Sequence, residues 1–374
     1  MSDPLGGLSE PREPEPARPA AHPRRRRSQP TPTTFALLAV LVIAFIAEGV
    51  VGQDSSVQDQ VTLFRLGALY APAVLAGDVW RIGAYAFLHI GWAHLIMNGW
   101  ALWILMRPIE TTYGQAAALG LFAATALAGG FASYEWALLR GHPVLAAGAS
   151  GGVFGLFGAT VALYVRLRHR IPPQALRAAL RGLAINLLIN AALALTFPVD
   201  SAAHVGGFLS GIALGLVAPV LTLDREPWHR PAQWLLTGSA FVLACMEGAA
   251  VARAVHPHPR TLSGPGVEAR VDGLLVPVEP GDAICPGAMA LHVARENEPL
   301  RIVDGDDAVR IGDRTFLRER SKLADEPGVE RTLLSTADRG GRLVVELQCA
   351  APVCRGDRAE QILLPTARSV HGVP

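Results

Sequence analysis

Apolar positions in this chain gather into long runs that fit membrane-crossing helices better than a soluble fold. A spanning helix needs about 20 mainly apolar residues. Seven stretches qualify: 35–52, 82–106, 116–136, 149–165, 183–197 (extended backwards by 179–182), 202–223 and 234–255. Before the first run, residues 1–33 are rich in Pro, Ala and Glu and carry the run Arg24-Arg25-Arg26-Arg27, which predicts a disordered tail with a basic anchor. That tail is too long for the whole segment to be a cleavable signal peptide. From about His256 the pattern changes, and 18 of the 32 acidic and 15 of the 33 basic residues fall there. Alternating stretches such as Arg342-Leu343-Val344-Val345-Glu346-Leu347 predict short strands between turns. The expected organisation is a tail (1–33), a six-helix core (34–223), a loop and seventh helix (224–257) and a small β-rich soluble domain (258–374). The fold class is thus an all-α polytopic membrane bundle of seven helices with a C-terminal β-rich appendage.

Composition sharpens this picture. Hydrophobic residues make up 51% of the chain and charged ones 17%, against roughly 25% charged in soluble domains. Mean hydropathy is +0.31. A string of soluble domains, a disordered chain and a collagen-like chain are all excluded. The net charge of +1 gives no field that would attract nucleic acid. Four cysteines do not make a disulfide scaffold. Cys285, Cys349 and Cys354 would allow one disulfide with a thiol left over, or three ordinary buried thiols. Arginines orient the bundle. Arg107, then Arg166, Arg168, Arg170, Arg177 and Arg181, then Arg225 and Arg230 fall in alternate connections, against Arg65, Arg81 and Arg140 in the others. This asymmetry predicts a cytoplasmic N-terminus and an extracytoplasmic C-terminal domain.

Polar residues inside apolar spans are costly, and each is by default a candidate site. Gly148-Ala149-Ser150-Gly151 opens the fourth span, where a helix N-terminus offers free N–H groups to a developing oxyanion. A flexible turn is the bland alternative. His204 lies near the start of the sixth span, above the small-residue stripe Ala203, Gly207, Gly211 and Gly215. The fourth span carries Gly151, Gly155 and Ala159 at the same spacing. Such stripes let helices approach closely, and Ser150 and His204 would then share one depth. Packing alone explains the stripes but not the two polar residues. His94 and Asn98 sit one turn apart on the second span and could donate to an oxyanion; a structural interhelical pair is equally open. His89 is read as structural. Asp200 is read as solvated, so a Ser/His dyad is more economical than a triad. No metal site or phosphate loop is expected. Glu48 is read as the only clear acidic residue within a span, which disfavours a proton-relay transporter.

These motifs together resemble the rhomboid family of intramembrane serine proteases. Trp80-Arg81, His94-x-x-x-Asn98, Gly148 to Gly151 and Ala203-His204 with Gly207 and Gly211 carry the likeness, with Glu110 and Gly114 after the second span. It covers roughly residues 35–223, and the seventh span matches the family's six-plus-one layout. The resemblance implies Ser150 as nucleophile and His204 as general base and acid. It also implies an oxyanion hole from His94, Asn98 and the Ser150 N–H. Phe154 stands where many members carry a Tyr that stacks on the catalytic histidine, and Met106 replaces a frequent Gly. The expected activity is endoproteolysis of single-pass or multi-pass membrane substrates, without cofactor, by a multi-pass protein of a bacterial inner membrane, with a small residue favoured before the cut. A catalytically silent rhomboid-like binder is the alternative. Oligomeric state is left open.

Overall fold

The computed structural model describes residues 31–51, 60–141, 145–196, 199–218 and 229–255, then strands and a final helix between 260 and 372. The expected tail falls at 1–30, outside the described residues, and the helix begins slightly before the expected boundary. That helix, α1 (Pro32–Val51), buries the stripe Thr34, Leu37, Leu41, Phe45 and Glu48. Phe35, Ile43, Ile46 and Val50 point outward, as lipid-facing residues would. Pro32 suits a first turn, where its missing N–H costs nothing. The neighbouring N–H groups are capped from elsewhere: Thr33 N and Thr34 N each donate to the Glu110 carboxylate at 2.9 Å.

Three short helices follow, α2 (Gln60–Leu66), α3 (Ala71–Leu75) and α4 (Arg81–Ala84), and a 3₁₀ turn (Tyr85–Phe87). Then come α5 (Gly91–Tyr113), α6 (Gln115–Arg140), α7 (Ser150–Leu167), α8 (Pro173–Thr196), α9 (Ser201–Val217) and α10 (His229–Val255). The second span was expected to start at Ile82. Instead the chain turns through the 3₁₀ segment, and α5 begins at Gly91, whose φ of 84° belongs to the left-handed region. The sixth was expected to reach Leu223, but α9 ends at Val217 before extended Ala218; residues 219–223 lie outside the described residues.

Among the described residues, α1, α6, α7 and the Pro231–Val255 part of α10 are long and apolar enough to cross a membrane, and α9 is a shorter apolar helix. The helices α5 and α8, of 23 and 24 residues, overlap the other two expected spans but are less apolar. Their hydropathy is diluted by His94, Asn98 and Arg107 in one and by Arg177 and Arg181 in the other. Glu135 lies within α6 and Glu247 within α10, so Glu48 is not the only acidic residue inside a span.

Close backbone approach holds the bundle's centre. On α9 the buried positions are Ala203, Gly207, Gly211 and Gly215, the expected stripe. Added Cβ atoms on Gly207 and Gly211 would collide with the carbonyls of Gly151 and Gly155 on α7. Without a hydrophobic drive between helices in lipid, this dispersion contact carries association. The α6 helix lies against both, with Gly129 close to Ala203 O. At the far end of the bundle, Arg166 donates to Gly215 O at 3.1 Å, beside the Tyr113 hydroxyl on the same carbonyl.

The C-terminal region is β-rich, as expected. One antiparallel sheet holds β1 (Arg260–Gly264), β2 (Val267–Val271) and β10 (His371–Gly372) in the order β1-β2-β10. The other holds β3 (Val276–Glu279), β4 (Asp282–Cys285), β5 (Met289–Glu296), β6 (Asp307–Ile311), β7 (Arg314–Lys322), β8 (Val329–Asp338) and β9 (Gly341–Ala350). Its order is β3-β4-β5-β9-β8-β7-β6, so β9 is central. Along β9, Leu343, Val345 and Leu347 are buried in the core, the alternation read from sequence. A helix, α11 (Arg358–Ser369), adds Leu363 and Ala367 to that core. On the opposite face Arg331 grips Glu346 through two bonds of 2.7 and 2.8 Å. This pairing holds the Glu346 carboxyl below the usual range. The side chains of Cys285, Cys349 and Cys354, and with them the disulfide question, lie outside the described residues.

Candidate active site

Ser150 begins α7, directly after Gly148 and Ala149. The approach is strict: Gly148 has φ 143°, and a Cβ there would meet His94 Cε1 at 2.7 Å and Nε2 at 2.9 Å. The same point lies 3.7 Å from Ser150 Oγ. Gly148 is therefore needed both for its backbone conformation and for the histidine ring packed on it. The segment is fastened on its other side by Gly148 N donating to Tyr85 O at 2.9 Å. Tyr85 is itself buried, and its hydroxyl donates to Ala126 O at 3.0 Å.

His94 Nδ1 accepts from Ile90 N at 3.3 Å. With that lone pair engaged, the neutral ring carries its proton on Nε2, the nitrogen facing Gly148. His94 thus presents a donor toward Ser150. Asn98 Nδ2 donates to His94 O at 3.0 Å and keeps a second N–H. Asn98 is buried on α5 among the residues facing the bundle.

His204 sits in the first turn of α9. Its ring stacks on Phe154, with centroids 4.1 Å apart and planes 9° apart. Phe154 is one helical turn beyond Ser150, and Gly151 abuts Gly207 across the seam. The two helix starts bearing Ser150 and His204 are thus packed together. Ser150 Oγ has no hydrogen-bond partner among the described residues, so the bond expected between the pair is not formed in this structure. Such bonds commonly tighten only when substrate is bound.

Asp200 differs from its expected role. It is the N-cap of α9, half-buried, with Oδ1 accepting from Ala203 N at 2.9 Å and Oδ2 accepting from the Ser133 hydroxyl on α6. The position signalled this: an Asp directly before an apolar helix is a capping signature. Asp200→Ala is expected to lower stability by about 1–2 kcal/mol. Thermal unfolding in detergent reads the loss, and Asp200→Asn, which keeps the cap, should recover most of it.

Trp80 and Arg81 are not at the Ser150–His204 cluster. Arg81 is 3% exposed. It bonds Asp78 Oδ2 at 3.0 Å, Phe64 O at 2.6 Å and Ala68 O at 3.0 Å. It thereby ties the loop ahead of the bundle into one frame. Trp80 packs with Ala84 and Ala250. Gly211 lies two turns below His204, in the seam. Sequence reasoning missed Tyr85 and Asp78, whose roles come from tertiary contacts. His89 is fully buried, with its ring edge-on to His94 at 5.2 Å, consistent with a structural part. Among the described residues no group of His, Cys, Asp and Glu could hold a metal ion.

Residues 76–219 match the family model of the Rhomboid domain. The chain is similar to the rhomboid protease GluP of Bacillus subtilis (strain 168), 31% identical over 49% of this chain and 35% of that protein. It is similar to rhomboid-like protease 2 of Toxoplasma gondii, 28% identical over 57% of this chain and 74% of that protein. It is also similar to the mitochondrial RHOMBOID-like protein 6 of Arabidopsis thaliana, 34% identical over 45% of this chain and 52% of that protein. The chain spans about a third of the Bacillus relative and about half of the Arabidopsis one. With a Rhomboid domain matched over residues 76–219 and its apolar helices, it is a multi-pass integral membrane protein.

Proposed function

We propose that this protein is an intramembrane serine endopeptidase with a Ser150–His204 dyad. The observation that carries the reading is the meeting of three helix segments. Ser150 starts α7, His204 is stacked on Phe154 across a glycine seam, and the Nε2 donor of His94 lies beside Gly148.

In the reaction, His204 accepts the Ser150 hydroxyl proton as Oγ attacks the scissile carbonyl. The oxyanion is stabilised by His94 Nε2–H, the free Asn98 N–H and the Ser150 backbone N–H, which has no intrahelical acceptor at the helix start. The imidazolium then protonates the leaving amine, and water hydrolyses the acyl-enzyme with His204 again as base. A transmembrane substrate is fully hydrogen-bonded along its helix in lipid. Segments weakened by Gly, Pro or small residues should therefore unwind into the site most readily. With the arginine bias, the reading puts the N-terminus in the cytoplasm of a bacterial cell. It puts Ser150 near the outer surface of the inner membrane, and residues 258–374 outside.

Cleavage of a model transmembrane substrate in liposomes tests this. Wild type is expected to cleave near the Ser150 end of the substrate span, and Ser150→Ala to abolish cleavage. Equal cleavage by the two proteins would refute it.

A further inference from the structure

We propose that the C-terminal β domain is a positioning element for the Ser150 loop, acting on it through Arg260 and Asp78. The proposal rests on Ser150 being the nucleophile, and it assigns work to a domain outside the matched Rhomboid region.

Arg260 opens β1, just beyond the end of α10. Its Nη2 reaches Asp78 Oδ2 at 2.5 Å. Asp78 is 4% exposed, and that same oxygen accepts from Arg81 Nε. One buried carboxylate oxygen thus joins two guanidinium groups, one from each part of the chain. Charge-assisted bonds of this kind are the stronger ones, and removing one partner changes how well the other is held. Arg81 passes the constraint on, because its Nη1 holds Phe64 O and Ala68 O. The next residue, Leu69, forms an isolated antiparallel bridge with Ala146, with N–H to O distances of 2.8 and 2.9 Å. Ala146 is four residues before Ser150 and two before Gly148, the residue that carries the His94 contact.

Apolar packing supports the same link. Phe64, Tyr70 and Ala73 from the loop are buried in one cluster with Leu262, Ala269 and Val271 of the β domain, and Leu145 packs on that cluster. The seventh helix joins in, since Arg65 Nε and Nη2 donate to Ala254 O at 3.3 and 3.2 Å. The domain is therefore attached to segment 64–81 and, through Leu145, to the start of the segment that leads into Ser150.

Coupling along this chain of contacts is read by measuring its two ends together. The test uses full-length protein in detergent with Arg260→Ala, Arg260→Lys and, as a control elsewhere in the domain, Arg331→Ala. Amide hydrogen exchange at Leu69 and Ala146 reads the frame directly, independent of activity. In Arg260→Ala, exchange at both is expected to rise about tenfold, as the loss of a charged hydrogen bond loosens local opening. The fluorophosphonate labelling rate at Ser150 and kcat for a model substrate should fall about fivefold, with KM little changed. Arg260→Lys should recover both, and Arg331→Ala should match wild type. Unchanged exchange and unchanged labelling in Arg260→Ala would overturn the proposal. So would equal losses in Arg260→Ala and Arg331→Ala, which indicate general loosening of the domain. Failure of the protease reading looks different: wild type would not label at Ser150, while the exchange comparison would still report on the frame.

Discussion

Replacing His204 by Ala is expected to lower turnover of a transmembrane substrate by about 10²–10⁴-fold, the range that a positioned general base contributes. The protein should remain folded. The His204 ring is half-buried and stacked on Phe154, and its side chain makes no hydrogen bond among the described residues. Folding therefore loses one aromatic stack, worth about 0.5–1.5 kcal/mol. Kinetics at saturating substrate and thermal unfolding separate the two effects. A fall in kcat with a nearly unchanged melting temperature is the expected pair of results. Phe154→Leu should retain far more activity than His204→Ala, since it loosens the base without removing it. If His204→Ala keeps wild-type turnover, His204 is not the base.

A second large effect is expected at the α7–α9 seam. Gly211→Val places a branched side chain against the Gly155 carbonyl and Cα, where only backbone can yield. Overpacking typically costs 1–3 kcal/mol and sometimes more; with no flexible side chain to move, about 3 kcal/mol or more is expected here. The helices would also part, so His204 would move away from Ser150 and activity should be lost together with stability. Gly182→Ala provides the contrast, because an added Cβ there meets nothing within 4 Å. That change should leave activity intact and slightly favour helix α8, Ala being the better helix former. Thermal unfolding and substrate cleavage measured on both variants check this.

How much of this was legible in the sequence differs by level. The seam could be read because small residues recurring every fourth position have few uses in a membrane helix except close approach, and α9 buries that stripe. Ser150, His204, His94 and Asn98 stood out because the surrounding spans are nearly uncharged. The packing of His204 on Phe154 was implied by resemblance, and the ring geometry agrees with it. The start of α5 was not legible. Residues 82–90 are apolar enough to extend a span, but Gly91 with positive φ and the 3₁₀ turn redirect the chain. Asp78 was missed because nothing local distinguishes a solvated loop aspartate from one buried between Arg81 and Arg260. The sequence alone suggests a solvated Asp200, though its place before Ser201 is a readable capping signal. Tyr85 was missed because its work is done by a backbone carbonyl bonded to Gly148 and by a hydroxyl bonded to α6. Period and composition report which face of a helix is buried, but not which loop carbonyl a distant amide will find.

The central claim is that Ser150 is an activated nucleophile. Mapping a fluorophosphonate adduct by mass spectrometry on folded, detergent-solubilised protein tests it most directly. The expected result is a single modified serine, Ser150, with the adduct absent in Ser150→Ala and strongly reduced in His204→Ala. A folded wild type that takes no adduct at Ser150, or labels equally after Ser150→Ala, would contradict it.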